Sequence, residues 1–358
     1  MSLSGRCWLP GPVEADSEVM AAMLHAPISH RGREGRALAE RLQGGLRKLF
    51  QTSRPVIQTT GSATAMMEAA IRSGVRERVL AIVHGTFGER FARIAEACDK
   101  EVIRLHTAHD RVMEPADLEA MLDGPPIDAI TMVHVETSTG AVAPIAELLP
   151  ICRRLEDAVT IVDVVGSLGG MPVKTSEWNA DFVLASSQKA VGAPPGITMA
   201  VASDQFLTRA GELDDRGRYL DVVSLHRDAR EGRFPQTPAL PIAWALDAQL
   251  QRISQEGLPA RFARHAAMQA RVAAWMEGRG DVHWFMPSER RSNTVSVLRL
   301  PDERPATALV DALAEEGWLV APGMESETDQ LLRIGHLGDA TPEQLDGLLA
   351  ALDRRLAS

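Results

Sequence analysis

Lys189 stands in Ala185-Ser186-Ser187-Gln188-Lys189-Ala190, directly after the apolar run Phe182-Val183-Leu184 and ahead of Gly192-Ala193-Pro194-Pro195-Gly196. Asp163 closes another apolar run, Val159-Thr160-Ile161-Val162, 26 residues earlier. A lysine amine can form a Schiff base with an aldehyde, and a carboxylate can keep a pyridine nitrogen protonated. An acid at one strand end and a lysine at a later one are what pyridoxal phosphate (PLP) chemistry requires. The phosphate of such a cofactor needs an anion site as well. Thr60-Gly61-Ser62-Ala63-Thr64 precedes Ala65-Met66-Met67-Glu68-Ala69-Ala70, an unbroken stretch of good helix formers. Ser62 is therefore an expected N-cap, and open backbone amides with small hydroxyls at a helix start bind anions. Alone, each signal is weak: a Gly-Ser before a helix is commonly only a cap, and a lone loop lysine is commonly solvated. Their order in one α/β pattern gives them weight, because ligands of open α/β sheets sit at the carboxyl ends of the strands.

Strand and helix patterns alternate around these residues. Apolar runs at Arg78–Val83, Val102–Leu105, Ala129–Val133 and Val159–Val162 predict buried strands, with helices over Phe87–Cys98 and Pro144–Asp157 between them. Continuous apolar strands separated by helices indicate a mainly parallel sheet covered on both faces. Between Ser186 and Gly196 there is no room for a crossover helix, so Ile197–Ala202 is expected to run antiparallel to the Phe182 strand. Beyond Phe234-Pro235-Gln236-Thr237-Pro238 the character changes. Helical patterns over Ile242–Ile253 and Phe262–Trp275 break at Gly257-Leu258-Pro259. Strands Thr294–Val297, Leu319–Ala321 and Leu331–Ile334 then alternate with helices Ala306–Glu316 and Pro342–Leu356, a small α/β sandwich. The expected organisation is an N-terminal segment 1–18, a large domain 19–238, and a small domain 239–358 that includes the connecting helical segment.

Composition sets the outer limits. The chain has 358 residues, 45% hydrophobic content and a net charge of −10 with scattered basic residues, so an extended nucleic-acid contact has no electrostatic footprint. Cys7, Cys98 and Cys152 lack metal-ligand spacing and read as reduced thiols, and His30, His84 and His134 as structural hydrogen-bonders, so no metal site is expected. No apolar run approaches a membrane span, and the first residues lack a signal pattern; a soluble, cytoplasmic protein is expected.

Gly11-Pro12, Ile28-Ser29-His30-Arg31, Gly61-Ser62-Ala63-Thr64, His134-Val135-Glu136-Thr137-Ser138-Thr139-Gly140, Asp163 to Gly170, Ser187-Gln188-Lys189 and Arg333-Ile334-Gly335-His336 together resemble the class V aminotransferases. They are similar to the alanine–glyoxylate, serine–glyoxylate and serine–pyruvate branch, with pyridoxamine–pyruvate aminotransferase also similar. The resemblance implies a fold type I PLP-dependent transferase, with one antiparallel strand in the large sheet. It implies that Lys189 holds the cofactor as a Schiff base and then moves the proton, and that Asp163 pairs with the pyridinium. Ser62, Ala63, Thr64 and Gln188 would meet the phosphate, and Thr237 would reach it from the other subunit of a homodimer with shared active sites. Thr137 would hydrogen-bond the cofactor hydroxyl, Phe87 would stack on its ring, and Arg333 would clamp the substrate carboxylate through a guanidinium fork. Backbone near Gly11 would complete the substrate pocket, and Met324 would help shape it. Two positions depart from the family pattern. Phe87 stands where a tryptophan is common, and Phe234 where a tyrosine commonly gives the phosphate a hydroxyl.

The implied reaction is transfer of an amine from a small amino acid, alanine or serine, to the 2-oxo acid glyoxylate or pyruvate. Other PLP-linked readings stay beside it, pyridoxamine–pyruvate aminotransferase among them. A cysteine desulfurase needs a mobile cysteine late in the chain, and none follows Cys152. Phosphoserine aminotransferase needs further cations for the substrate phosphate beyond Arg31 and Arg333. A PLP-binding regulator would carry a DNA-binding module, for which the chain has no signature.

Overall fold

The computed structural model describes residues 5–108, 110–122 and 124–357. A seven-stranded sheet forms its centre, in the spatial order Val56–Thr60, Ile197–Ala202, Phe182–Ser186, Val159–Asp163, Ala129–Val133, Arg78–Val83, Glu101–His106. Every neighbouring pair is parallel except those made by Ile197–Ala202, which is antiparallel to both its neighbours. Too short a link to cross over forces that reversal.

The apolar runs divide their side chains between two cores, as a period of two requires. Leu80, Ile82, Ile130, Met132, Val162 and Val183 face the helices Arg33–Leu49, Ile145–Cys152 and Leu240–Glu256. Val79, Ala81, Ala129, Val133, Ile161 and Leu184 face the helices Ala63–Gly74, Thr86–Ala97 and Asp204–Glu212. Burial on both sides gives the continuous hydrophobic strands and leaves only the strand ends free for polar chemistry.

A second, four-stranded antiparallel sheet, ordered His283–Trp284, Val295–Arg299, Leu331–Gly335, Ala321–Pro322, packs against the helices Leu258–Met276, Ala306–Glu315 and Pro342–Ala357. The N-terminal segment joins this unit. Trp8 is 1% exposed within its core, its N–H donates to the Leu319 carbonyl at 2.7 Å, and its carbonyl accepts from Gly335 N at 2.7 Å. The Leu240–Glu256 helix, by contrast, puts Ala243, Leu246, Leu250 and Ile253 into the core of the large sheet. Gly257, at φ +80°, separates it from the next helix.

Two expected elements differ. The helix expected over Pro144–Asp157 is Ile145–Cys152, with Pro144 as N-cap; residues 153–157, polar apart from Leu155, turn instead to lead into the Val159 strand. The strand expected at Leu319–Ala321 is Ala321–Pro322, because Leu319 is bridged to Cys7 of the N-terminal segment. Sequence patterning also passed over the Arg33–Leu49 helix and the Val56–Thr60 edge strand. Among the described residues no helix is long and apolar enough to cross a membrane.

Candidate active site

Parallel strands bring their carboxyl ends to one edge, and there the chain concentrates its buried polar side chains. Asp163 ends its strand opposite Val133 and Leu184 and is 3% exposed. Its Oδ1 accepts from Val165 N at 2.7 Å, and no cation lies within ion-pair distance among the described residues. Burial pushes its pKa up, and the Val165 N–H and the charge of Lys189 pull it back. Such a carboxylate lacks a cationic partner, which a protonated ring nitrogen would provide.

Lys189 follows the next strand and is 8% exposed. Its Nζ donates to Thr137 Oγ1 at 2.8 Å and lies 4.8 Å from the centroid of the Phe87 ring. Burial lowers its pKa, which favours the free amine; Asp163 and Glu136 oppose that shift. Gly11 leans on the lysine stem. It sits at φ +112°, and a Cβ there would come within 3.0 Å of Lys189 Cγ, so glycine serves both the backbone conformation and the close approach. Val13 N donates to the Gln188 carbonyl at 3.0 Å, which ties the N-terminal segment to the lysine loop.

Thr137 joins the lysine to Arg333. Its carbonyl accepts from Arg333 Nη1 at 3.2 Å, and Arg333 Nε donates to the Pro322 carbonyl at 2.7 Å. Arg333 is half-buried, pairs with no carboxylate among the described residues, and is pushed down to about 10 by burial. The guanidinium is thus oriented by two backbone carbonyls, with donors left for an incoming carboxylate.

Glu136 is a functional-site residue that sequence reasoning missed. It is fully buried, and one carboxylate oxygen accepts from Phe87 N at 3.0 Å and Gly88 N at 3.2 Å, while the other accepts from Ser138 N and Oγ. It thereby fixes the start of the Phe87 helix, where free amides and the helix dipole favour a carboxylate. The available signal was an acid inside the otherwise neutral Val135-Glu136-Thr137-Ser138 run. Arg261 was missed too. Though 1% exposed, it donates to the carbonyls of Gly169 and Ala190 at 3.0 Å each and pairs with Asp339 at 2.8 Å, pinning the segment after Lys189.

Ser62 occupies the N-cap position of Ala63–Gly74 in extended backbone, but its exposed side chain caps nothing, leaving the helix start open. Gln188 Oε1 accepts from Ser186 Oγ at 2.5 Å, so its amide hydrogens remain for another acceptor. Thr237 lies apart from the lysine cluster. It is exposed, in a shallow cleft with Gln58, Thr59, Thr60 and Phe234. Met324 lines a cleft of about 360 Å³ with Gly85, Thr86, Ser138 and Thr139. His84 and His134 are buried bases whose pKa falls to about 4 through desolvation; His84 accepts from Met113 N, and His134 Nδ1 bonds Ser167 Oγ at 2.8 Å.

The fold and this edge are those of a PLP-dependent transferase, with a buried amine, a buried acid with no ion-pair partner among the described residues and an open helix start on one strand edge. The family profile for aminotransferase class-V matches residues 14–336, and the chain belongs to that family. The chain is 33% identical over 354 residues to an uncharacterised aminotransferase of Methanocaldococcus jannaschii, covering 97% of this chain and 91% of that one. It is 28% identical to the serine–glyoxylate aminotransferase of Methylorubrum extorquens, with 98% and 90% covered. The crystal structure of an alanine–glyoxylate aminotransferase from Nostoc sp. superposes with a TM-score of 0.93 at 29% identity, covering 98% of this chain and 95% of that one. The protein is a PLP-dependent aminotransferase.

Proposed function

We propose that this aminotransferase takes its amine from a small amino acid, alanine or serine, and gives it to glyoxylate or pyruvate in a ping-pong cycle. The observation that carries this reading is the confinement of Lys189 between Gly11, Phe87, Thr137 and the Thr137-bound Arg333. One clamp stands beside one amine. Donor and acceptor both carry a carboxylate next to the reacting carbon, so Arg333 serves both halves of the cycle. When bound, PLP supplies the aldehyde and an electron sink.

The chain's own residues do the rest. Arg333 orients the carboxylate, and the Lys189 amine, kept partly neutral by burial, takes the proton from the substrate Cα. Thr137 directs the lysine; Asp163 would balance a protonated ring nitrogen, Thr137 would hydrogen-bond the ring hydroxyl, and Phe87 would offer its ring for stacking. Ser62, Ala63, Thr64 and Gln188 would hold the phosphate. Thr237, exposed and without a side-chain hydrogen bond among the described residues, reaches the phosphate of a second copy in a homodimer. Support for the substrate class comes from the serine–glyoxylate and alanine–glyoxylate likenesses. The test is a panel of amino donors, monitored by the absorbance of the bound cofactor and then by transfer to glyoxylate or pyruvate. Alanine or serine should convert the spectrum fastest. Fast conversion by phosphoserine or pyridoxamine, with none by alanine or serine, would overturn the assignment.

A further inference from the structure

We propose that Arg90 is the counter-charge for the cofactor phosphate, an assignment that rests on the phosphate lying at Ser62–Thr64 as proposed above. The residues assigned to that phosphate, Ser62, Ala63, Thr64, Gln188 and Thr237, are all neutral. Phe234 adds nothing, since it has no hydroxyl and is buried in the large core. A helix N-terminus contributes only about half an elementary charge, too little to balance a phosphate close to a dianion. A cation should therefore stand within reach.

Arg90 is placed for it. It lies one turn beyond Phe87 on the Thr86–Ala97 helix, its Nη1 is 3.5 Å from Thr64 Oγ1, and its Cζ is 4.6 Å from the centroid of the Phe87 ring. It thus touches a residue of the helix start and the ring expected to cover the cofactor. Its field reaches Asp163 and Lys189, lowering the pKa of each. The neighbouring ion pairs sharpen the case. Arg93 pairs with Glu89, Arg104 with Glu89 and Glu96, and Arg72 with Glu68. Arg90 has no carboxylate partner among the described residues, although it is half-buried. The acids of both helices are engaged elsewhere, so the chain leaves one guanidinium facing the cradle. A guanidinium fork matches a phosphate, and an ion-assisted hydrogen bond there is worth more than the neutral contacts around it.

The alternative is a purely steric role, with Arg90 lying on Phe87 and steadying it. Equilibrium binding to the apoprotein separates the two, followed by quenching of the six tryptophans. The ligands are PLP and pyridoxal, which has the same ring and aldehyde without the phosphate. Arg90→Gln is expected to weaken PLP about tenfold or more while changing pyridoxal less than about twofold, and Arg90→Lys to fall between. Inorganic phosphate should compete with PLP on the native protein and much less on Arg90→Gln. Equal losses for PLP and pyridoxal, or undiminished PLP binding by Arg90→Gln, would overturn the role of Arg90 and leave the cofactor site standing. Native protein that binds PLP no better than pyridoxal would overturn the phosphate cradle itself, and this assignment with it.

Discussion

The two ends of the proposed cofactor site are built differently. At the ring end, Glu136, Thr137, Asp163 and Lys189 are all under a tenth exposed and are held by hydrogen bonds within the chain. At the phosphate end, Ser62 and Thr237 are exposed, Thr64 and Gln188 are half-buried, and the helix start has no side-chain cap. In the proposed cycle the ring end moves protons, so its charges must be desolvated and fixed before substrate arrives. The phosphate end only anchors. Anchoring tolerates solvent and can be shared among helix amides, a nearby guanidinium and a second chain.

That contrast predicts a graded set of effects. Lys189→Ala should lose roughly 10⁴-fold, the upper end of what a positioned base contributes, measured as turnover with the best donor of the panel. Turnover within tenfold of native would place the essential amine elsewhere. Asp163→Asn should slow single-turnover conversion by about 10²-fold while cofactor stays bound, because charge at the ring nitrogen matters more for rate than for retention. Loss of cofactor with little loss of rate would reverse the two ends. Ser62→Ala should weaken PLP only a few-fold, since backbone amides remain; a loss as large as that for Arg90→Gln would show the anchor to be side-chain dominated.

Acid tests the buried interior around the site. His84, His134 and His336 are neutral when buried, with pKa near 4 against an ordinary 6.5. The unfolded chain therefore binds more protons below pH 6.5, so stability falls as the pH drops from about 6.5 and the loss levels off near 4. Each histidine removes about 2 kcal/mol at pH 5 by that linkage. His84→Gln keeps an acceptor for the Met113 amide without the titration. Its melting temperature should fall less than that of native protein between pH 6.5 and 5, and parallel curves would show that His84 is not desolvated.

Much of this was legible in the chain. The strand runs, the reversed Ile197 strand and the Lys189–Asp163 pair all stood in local patterns of apolar and polar residues, because burial on both faces of a sheet writes itself into consecutive residues. The Val56–Thr60 strand was not legible, since Gln58, Thr59 and Thr60 are polar although Gln58 and Thr59 are buried at the sheet edge. Glu136 and Arg261 also escaped, because the role of a buried charge shows mainly through partners far along the chain, such as Phe87 for Glu136 and Gly169 and Asp339 for Arg261.

The sequence by itself determined most of the sheet, the order of motifs and the placing of the lysine and the acid at strand ends, since these depend on residue type and short-range period. Tertiary structure alone decided that Gly11 leans on Lys189, that Thr137 bridges the lysine to Arg333, and that Arg90 is left without a carboxylate among the described residues. Those facts join residues up to 196 positions apart, and only packing specifies which distant side chains spend their charge on each other and which keep it for a ligand.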